Sequence, residues 1–295
     1  MSNFFFKVLR PGINTTFQDE GRYNLQHIGV PPSGCMDQKS FLIANALVGN
    51  KKKDAVLEFA YQGPLLKLVK GNVKIAITGN VYFKIITSNN EEIDGECNRS
   101  YNINQGDQID ILATNKSVYG YLSVEGGFDI ESFCKSFSTL VKARIGPHKG
   151  NKIKIEEKIL INKTTENRKI FKAIISHDDS NTIRVLKGPQ YDYFSKESKK
   201  LFFSQSYKVT NLTDRMGMRL EGNILKNIVN TNIRSEGITK GAIQIPADGK
   251  PIILLTDYPT IGGYPKIANI ISADYDLLIQ KKPGTNISFK CIDLE

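Results

Sequence analysis

Residues 55–69, AVLEFAYQGPLLKLV, decide the fold class together with the runs that follow at short intervals: GNVKIAITG (71–79), VYFKIITS (81–88), QIDILAT (108–114) and YGYLSVEGG (119–127). Each is a short β-branched or aromatic run bounded by Gly, Asn or Asp, and that spacing describes an antiparallel sandwich or barrel. In Val73-Lys74-Ile75-Ala76-Ile77 and Gln108-Ile109-Asp110-Ile111 polarity alternates with period two, which turns one face to a core and the other to solvent. Glu58 interrupts an otherwise apolar run, and an edge or solvent-facing position is expected for it ahead of a buried acid at a site.

Upstream, Gly12–Gly49 (GINTTFQDEGRYNLQHIGVPPSGCMDQKSFLIANALVG) is too dense in polar and turn-forming residues for an ordinary loop. Gln18, Asp19, Glu20 and Arg22 bring charge and hydrogen-bonding capacity, Gly21, Gly29 and Gly34 bring unusual backbone angles, and Pro31-Pro32 holds an extended segment. Asp37 is a helix cap, Phe41, Leu42, Asn45 and Val48 recur at near-helical spacing, and Gly49 is the expected left-handed C-cap. A charged loop held between a strand and a helix is a common place for function.

Downstream, residues 151–181 turn rich in Lys, Glu, Asn and Thr, and the domain boundary is placed there, giving domains of 1–165 and 166–295. The second half restarts with the strand TIRVLKGPQ, then a helix face of Tyr191, Phe194, Ser198, Leu201 and Phe202. In TDRMGMRLEG, Asp214, Arg215 and Arg219 surround Gly217, echoing the Gln-Asp-Glu-Gly-Arg of the first half. PIILLTD reads as a strand buried on both faces and ended by Asp257, and Ala273–Ile279 as a helix closed by Pro283-Gly284.

The chain has 295 residues, 40% of them hydrophobic, so a sizeable core and a globular state are expected. A net charge of +10 invites a nucleic-acid reading, but the lysines are scattered and lack interleaved aromatics, so no nucleic-acid partner is expected. Cys35, Cys97, Cys134 and Cys291 lie far apart without C-x-x-C spacing, and no bound metal is expected in this chain. The start, MSNFFFKVLRPG, reads as a first strand and not as a signal peptide, no run approaches a membrane span, and a cytoplasmic location is the expectation.

An ordered set of motifs carries a resemblance: TTFQDEGRYNLQHIGVPPSGCMD, LEFAYQGP, YLSVEGGFD, VLKGPQYDYF, TDRMGMRLEG, SEGITKGAIQIPADGKPIILLTDYPTIGGYPKIA and ADYDLLIQKKPG. Together they resemble the biotin-dependent carboxyltransferase-like family that contains the C-type component of 5-oxoprolinase (PxpC, or KipA) and the matching part of urea carboxylase and allophanate hydrolase subunit 2. The resemblance implies a mainly β protein with a few short helices, built as two cyclophilin-like β-barrel domains in tandem. It departs from the family at Lys135-Ser136-Phe137-Ser138-Thr139, where a Gly-rich G-S-x-S-T is usual. It departs again at Asp257-Tyr258-Pro259-Thr260-Ile261-Gly262-Gly263-Tyr264, where D-R-Q-T-T-G-G-Y is common.

The resemblance implies a subunit of the ATP-dependent 5-oxoprolinase that opens 5-oxo-L-proline to L-glutamate. The chain would act with a B-type partner (PxpB/KipI-like) and an A-type partner, the complex using ATP with Mg2+. Two alternatives stand beside it: biotin-dependent carboxyl transfer to a urea-like amide, and a KipA-like regulatory protein that binds a kinase inhibitor. A five-membered lactam is an unreactive amide, so the chemistry asks for cations and donors around phosphate and carboxylate, plus an acid or base. Asp19, Glu236 and Asp257 are the candidate catalytic acids. Gln18, Arg22, Ser33, Arg215, Arg219, Gln244, Thr260, Gly262 and Gly263 are the candidate substrate- or anion-binding residues. Each has a structural alternative: Asp214 beside Arg215, or Asp19 near Arg22, serves equally as an ion pair or turn cap, and His27 as a packing residue.

Overall fold

The computed structural model describes residues 4–163, 169–175, 178–229 and 232–293. The chain divides into two units, one of Met1–Arg22 with Ser33–Ser176, the other of Tyr23–Pro32 with His177–Glu295. The expected boundary at 165/166 and most of the polar TTENRK run lie outside the described residues.

The first unit is built from two antiparallel sheets. One runs in the order Lys158–Ile161, Phe4–Arg10, Leu65–Lys70, Gln108–Thr114, Val81–Ile86, Glu92–Asp94. The other runs Thr16–Gln18, Val56–Ala60, Tyr119–Val124, Val73–Gly79, Arg99–Ile103. Phe6, Val8, Leu66 and Ile109 from the first sheet share a single core with Phe17, Leu57, Ile75 and Leu122 from the second. Burying each such side chain contributes about 1.5–3 kcal/mol.

Period-two alternation holds over Gln108, Ile109, Asp110 and Ile111 but not on Val73–Gly79, where Lys74 and Ala76 are buried too. The outer face of that strand is covered. Helix Gln38–Val48 packs on it, with Thr78 Oγ1 donating to the Ser40 carbonyl at 2.8 Å, and Lys74 lies over the Phe171 ring at 5.5 Å. The helix ends are those expected: Asp37 accepts from Ser40 N at 2.8 Å, and Gly49 closes the last turn with φ 80°.

The second unit contains a closed seven-stranded barrel: Thr182–Lys187, Lys266–Ile270, Ala242–Gln244, Ile252–Leu254, Gly217–Glu221, Tyr207–Thr213, Asn286–Cys291. Parallel pairing of the last strand with the first, Thr182 opposite Ser288, closes it. A separate two-stranded ribbon pairs Glu236–Gly237 with Ile261–Gly262.

The mainly β class with a few short helices is therefore the observed one, and the expectation of two tandem barrels is met as a closed barrel by the second unit. The first unit is a pair of open sheets. Each tapers at one end into a three-residue strand, Glu92–Asp94 or Thr16–Gln18, which offers few ladder bonds for closure. The helix expected across Tyr191–Phe202 is broken. A 3-10 turn, Tyr191–Tyr193, is followed by extended Phe194 and by helix Lys196–Ser204, because the Ser195 side chain caps a new start by accepting from Ser198 N. No helix among the described residues is long and apolar enough to cross a membrane.

Candidate functional site

In the first unit the polar stretch following strand Thr16–Gln18 is folded around Asp19. Its buried carboxylate accepts from Gly21 N at 2.8 Å, Ser136 Oγ at 2.8 Å, Phe137 N at 2.6 Å and Ser138 Oγ at 2.5 Å. Arg22, also buried, donates to the Ser138 carbonyl, and Gln18 Nε2 donates to the Thr139 carbonyl at 3.0 Å. The hydroxyls of Ser136 and Ser138 thus already face an anion of the chain itself. Ser33 is buried with φ 58°, and Gly34, φ 103°, lets the chain pass against Glu20, to which a Cβ at Gly34 would come within 3.0 Å. This contact seats Cys35 N on the Asp19 carbonyl at 2.9 Å.

Glu58 corrects its sequence reading. It is 1% exposed, accepting from Met36 N at 2.7 Å and from the Tyr121 hydroxyl at 2.9 Å, while Tyr121 accepts from Asp37 N at 2.7 Å. Burial, with the nearby Glu58 carboxylate adding to it, pushes the Tyr121 phenol well above its ordinary range. The acid and the phenol lock the turn that enters the helix.

In the second unit Arg215 grips Asp257 bidentately, Nε to Oδ2 at 2.8 Å and Nη2 to Oδ1 at 3.0 Å, and Asp257 N donates to the Arg215 carbonyl at 2.8 Å. Asp214 Oδ1 accepts from Met216 N at 2.8 Å, a turn motif at the hairpin tip. The echo between the two acid–arginine turns is therefore one of composition: Asp19 is enclosed by Ser136, Phe137 and Ser138 of a distant loop, while Asp214 is exposed and bonded locally. Arg219 lies on the exposed side of strand Gly217–Glu221, and His27 is exposed in the single turn Gln26–Ile28.

The ribbon of the second unit gathers more of the expected residues. Glu236 stands opposite Gly262; its Oε1 accepts from Gln190 Nε2 at 2.9 Å and from Lys266 Nζ. The hydrogen bond from Lys266 holds the Glu236 carboxyl below the ordinary carboxylate range, against a smaller opposing push from desolvation. Gln244 sits opposite Lys266 in the barrel ladder and is buried. Thr260 supplies its carbonyl to Ile238 N at 3.3 Å, and Gly263 its carbonyl to Ile233 N at 2.9 Å, so both brace the ribbon. Beside it is a cavity of about 400 Å³ lined by Lys187, Gly188, Glu236, Thr239, Lys266 and Asn269 among others. Gly188 is required at its floor, since a Cβ there would meet the Lys266 carbonyl at 2.3 Å.

A carboxyltransferase domain family, described as subdomain A and B, matches residues 28–291. The chain belongs to this family. It is 31% identical over 293 residues to the C-type 5-oxoprolinase subunit of Escherichia coli (strain K12), covering 98% of this chain and 92% of that protein. To the C-type 5-oxoprolinase subunit of Haemophilus influenzae it is 29% identical, covering 95% of this chain and 89% of that protein. Among solved structures the K. lactis urea amidolyase aligns with a TM-score of 0.89 at 29% identity, covering 99% of this chain and 19% of that larger one. The carboxyltransferase fold thus accounts for the chain nearly from end to end.

Within this family member, the residues that sequence reasoning passed over are Lys266 and Gln190. Both lie in stretches that carried the resemblance, GGYPKIA and VLKGPQYDYF. Nothing in local pattern marks Lys266, because a lysine opening a strand ordinarily faces solvent, and its 5% exposure arises only when the ribbon folds over it.

Proposed function

We propose that this chain is a subunit of an ATP-dependent 5-oxoprolinase, hydrolysing 5-oxo-L-proline to L-glutamate together with B-type and A-type partner chains. The observation that carries this reading is the near end-to-end correspondence with two proteins named as the C-type 5-oxoprolinase subunit, covering 92% and 89% of their lengths. ATP with Mg2+, used by the complex, would supply phosphorylation of the lactam oxygen, which activates the ring carbon toward water so that the C–N bond breaks with its nitrogen leaving as the amine and the phosphate is released. This chain contributes donors and carboxylates that hold the small substrate. A cavity with a buried ammonium beside a carboxylate suits a small polar guest.

The test is reconstitution. The complete set of subunits is expected to release glutamate from 5-oxoproline only with ATP, and a formed complex that releases none counts against the proposal.

A second reading, carboxyl transfer from carboxybiotin to a urea-like amide, is favoured by the family description and by the fit to urea amidolyase. It requires a biotin carboxylase partner. Bicarbonate-dependent carboxylation of urea by such an assembly, with no turnover of 5-oxoproline, would select it.

A further inference from the structure

The ribbon-side cavity of the second unit has three charged residues in its walls, Lys187, Lys266 and Glu236, and so a net charge of +1. Lys266 and Glu236 bond to each other and both line the cavity, which puts their ion pair in its wall. The ammonium is the enclosed member, on a side chain 7% exposed, and the carboxylate is the open one at 43%. Gln190, itself buried, fixes the pair. Its N–H donates to the Lys266 carbonyl at 3.3 Å, its Oε1 accepts from Lys266 N at 3.2 Å, and its Nε2 donates to Glu236 Oε1 at 2.9 Å.

An ammonium has three N–H donors. That of Lys266 gives one to Glu236 Oε1, and the others have no partner among the described residues. An enclosed cation with donors left over carries a desolvation cost that a bound acceptor offsets, and the cavity it lines is the way in for one. Glu236 neutralises it poorly. Its Oε1 is shared with Gln190, and nearly half of the side chain faces solvent, where its field is screened.

The residual charge matches a monoanion. A carboxylate brings a single charge and two oxygens that accept. A phosphate dianion would meet the same ammonium but also the Glu236 carboxylate, and among the described residues no arginine fork lines the cavity to grip it. The remaining wall is small or apolar, with Pro189, Ile238, Ala242 and Ala268, against which a short ring or hydrocarbon chain packs.

We propose that this cavity holds the carboxylate of a small organic acid on the Lys266 ammonium, with Lys187 adding positive charge and Glu236 serving as the resident counter-ion. For its guest, 5-oxo-L-proline, the inference rests on the oxoprolinase reading above; the anion site itself rests on the geometry. Glu236 then repels the charge of the guest. Removing that charge strengthens binding, whereas loss of a hydrogen-bond acceptor for the substrate would weaken it.

Calorimetric titration of the full chain with 5-oxo-L-proline, its neutral carboxamide, acetate and inorganic phosphate tests this. 5-Oxo-L-proline is expected to bind, and the carboxamide to bind about tenfold more weakly, the equivalent of one lost charge-assisted hydrogen bond. Lys187→Met, at an exposed position, should weaken the acid by about threefold and leave the carboxamide unchanged. Glu236→Gln should tighten the acid by about threefold. Lys266→Met should erase the preference for acid over carboxamide if its melting curve shows it folded, and the other two variants decide if it does not. Acetate binding without 5-oxo-L-proline binding keeps the carboxylate site and removes that guest. Saturation by none of the probes at millimolar concentration, equal affinity for acid and carboxamide, or tighter binding of phosphate than of either carboxylate overturns the site, as does weaker binding of the acid to Glu236→Gln. In the assembled complex, Lys187→Met and Glu236→Gln both turning over 5-oxoproline at wild-type KM remove this site and keep the oxoprolinase. A carboxylate preference in a chain whose full assembly releases no glutamate does the reverse.

Discussion

Replacing Asp19 by Asn probes how the first half of the polar stretch is held. In the wild type, Oδ1 receives Gly21 N, Ser136 Oγ and Ser138 Oγ, and Oδ2 receives Phe137 N at 2.6 Å. Asparagine keeps one oxygen and turns an N–H2 toward Phe137 N–H, donor against donor. Three bonds then change from charge-assisted to neutral, each losing about 1 kcal/mol, and one half-buried N–H loses its acceptor, costing about 1 kcal/mol. Allowing for relaxation and non-additivity, a local destabilisation of about 3 kcal/mol is expected. The chain has no tryptophan to report it by fluorescence. Hydrogen exchange of the peptide containing Phe137 is the direct readout, and about 3 kcal/mol predicts exchange faster by about a hundredfold. Ser138→Ala introduced together with Asp19→Asn should then cost less than it does alone, since the two share one bond. Exchange within about threefold of wild type, or an additive pair, would refute the assignment of Asp19 as the clamp of this loop.

Arg215→Ala leaves Asp257, whose side chain is 6% exposed, without its fork, and a loss of about 3 kcal/mol in denaturant unfolding is expected; Arg215→Lys should recover only part of it. At Asp274, burial pushes the carboxyl up, but hydrogen bonds from the Arg184 side chain and backbone outweigh it and hold the group below 3.8. Its contribution is therefore present above pH 3.8 and is lost as pH falls through the depressed folded value, so the stability gap between wild type and Asp274→Asn should close on acidification; a gap that widens in acid would contradict the sign. Tyr121→Phe strips Asp37 N of an acceptor and Glu58 of a donor inside the core, and should cost about 1–3 kcal/mol by thermal melting. Gly188→Ala should raise the KM of any turnover that uses the ribbon-side cavity, because the new methyl must displace the Lys266 backbone; an unchanged KM with an unchanged melting curve would show that the turn yields without consequence.

Local pattern was a good guide where the chain's own neighbours supply the physics. Asp37 and Gly49 bound helix Gln38–Val48 because capping is settled within four residues, and strand runs ending in Gly, Asn or Asp emerged as strands for the same reason. It was a poor guide where a partner came from far along the chain. Glu58 was expected at an edge and is enclosed, because Tyr121 and the Met36 amide arrive from segments it cannot sense locally. Lys74 alternates like a surface residue but is covered by a segment near Phe171, close to a hundred positions away.

The candidate site divides the same way. Gln18, Asp19, Arg22, Arg215, Asp257, Glu236, Gln244 and Gly262 were singled out by residue type and by resemblance, since charged and amide side chains clustered with glycine in turns are visible in one dimension. Which of them meet was decided in three. Arg215 closes on Asp257 over 42 positions, Asp19 draws in hydroxyls about 117 positions away, and Lys266 joins Glu236 over 30. The sequence by itself determined the β-rich class, the two ends of helix Gln38–Val48 and the inventory of polar groups, because those follow from propensity and short-range hydrogen bonding. Only the tertiary structure decided that the second unit closes while the first stays open, and that a single register shift sets Lys266 beside Gln244. Strand pairing is a long-range choice, made by burying one face of every strand at once.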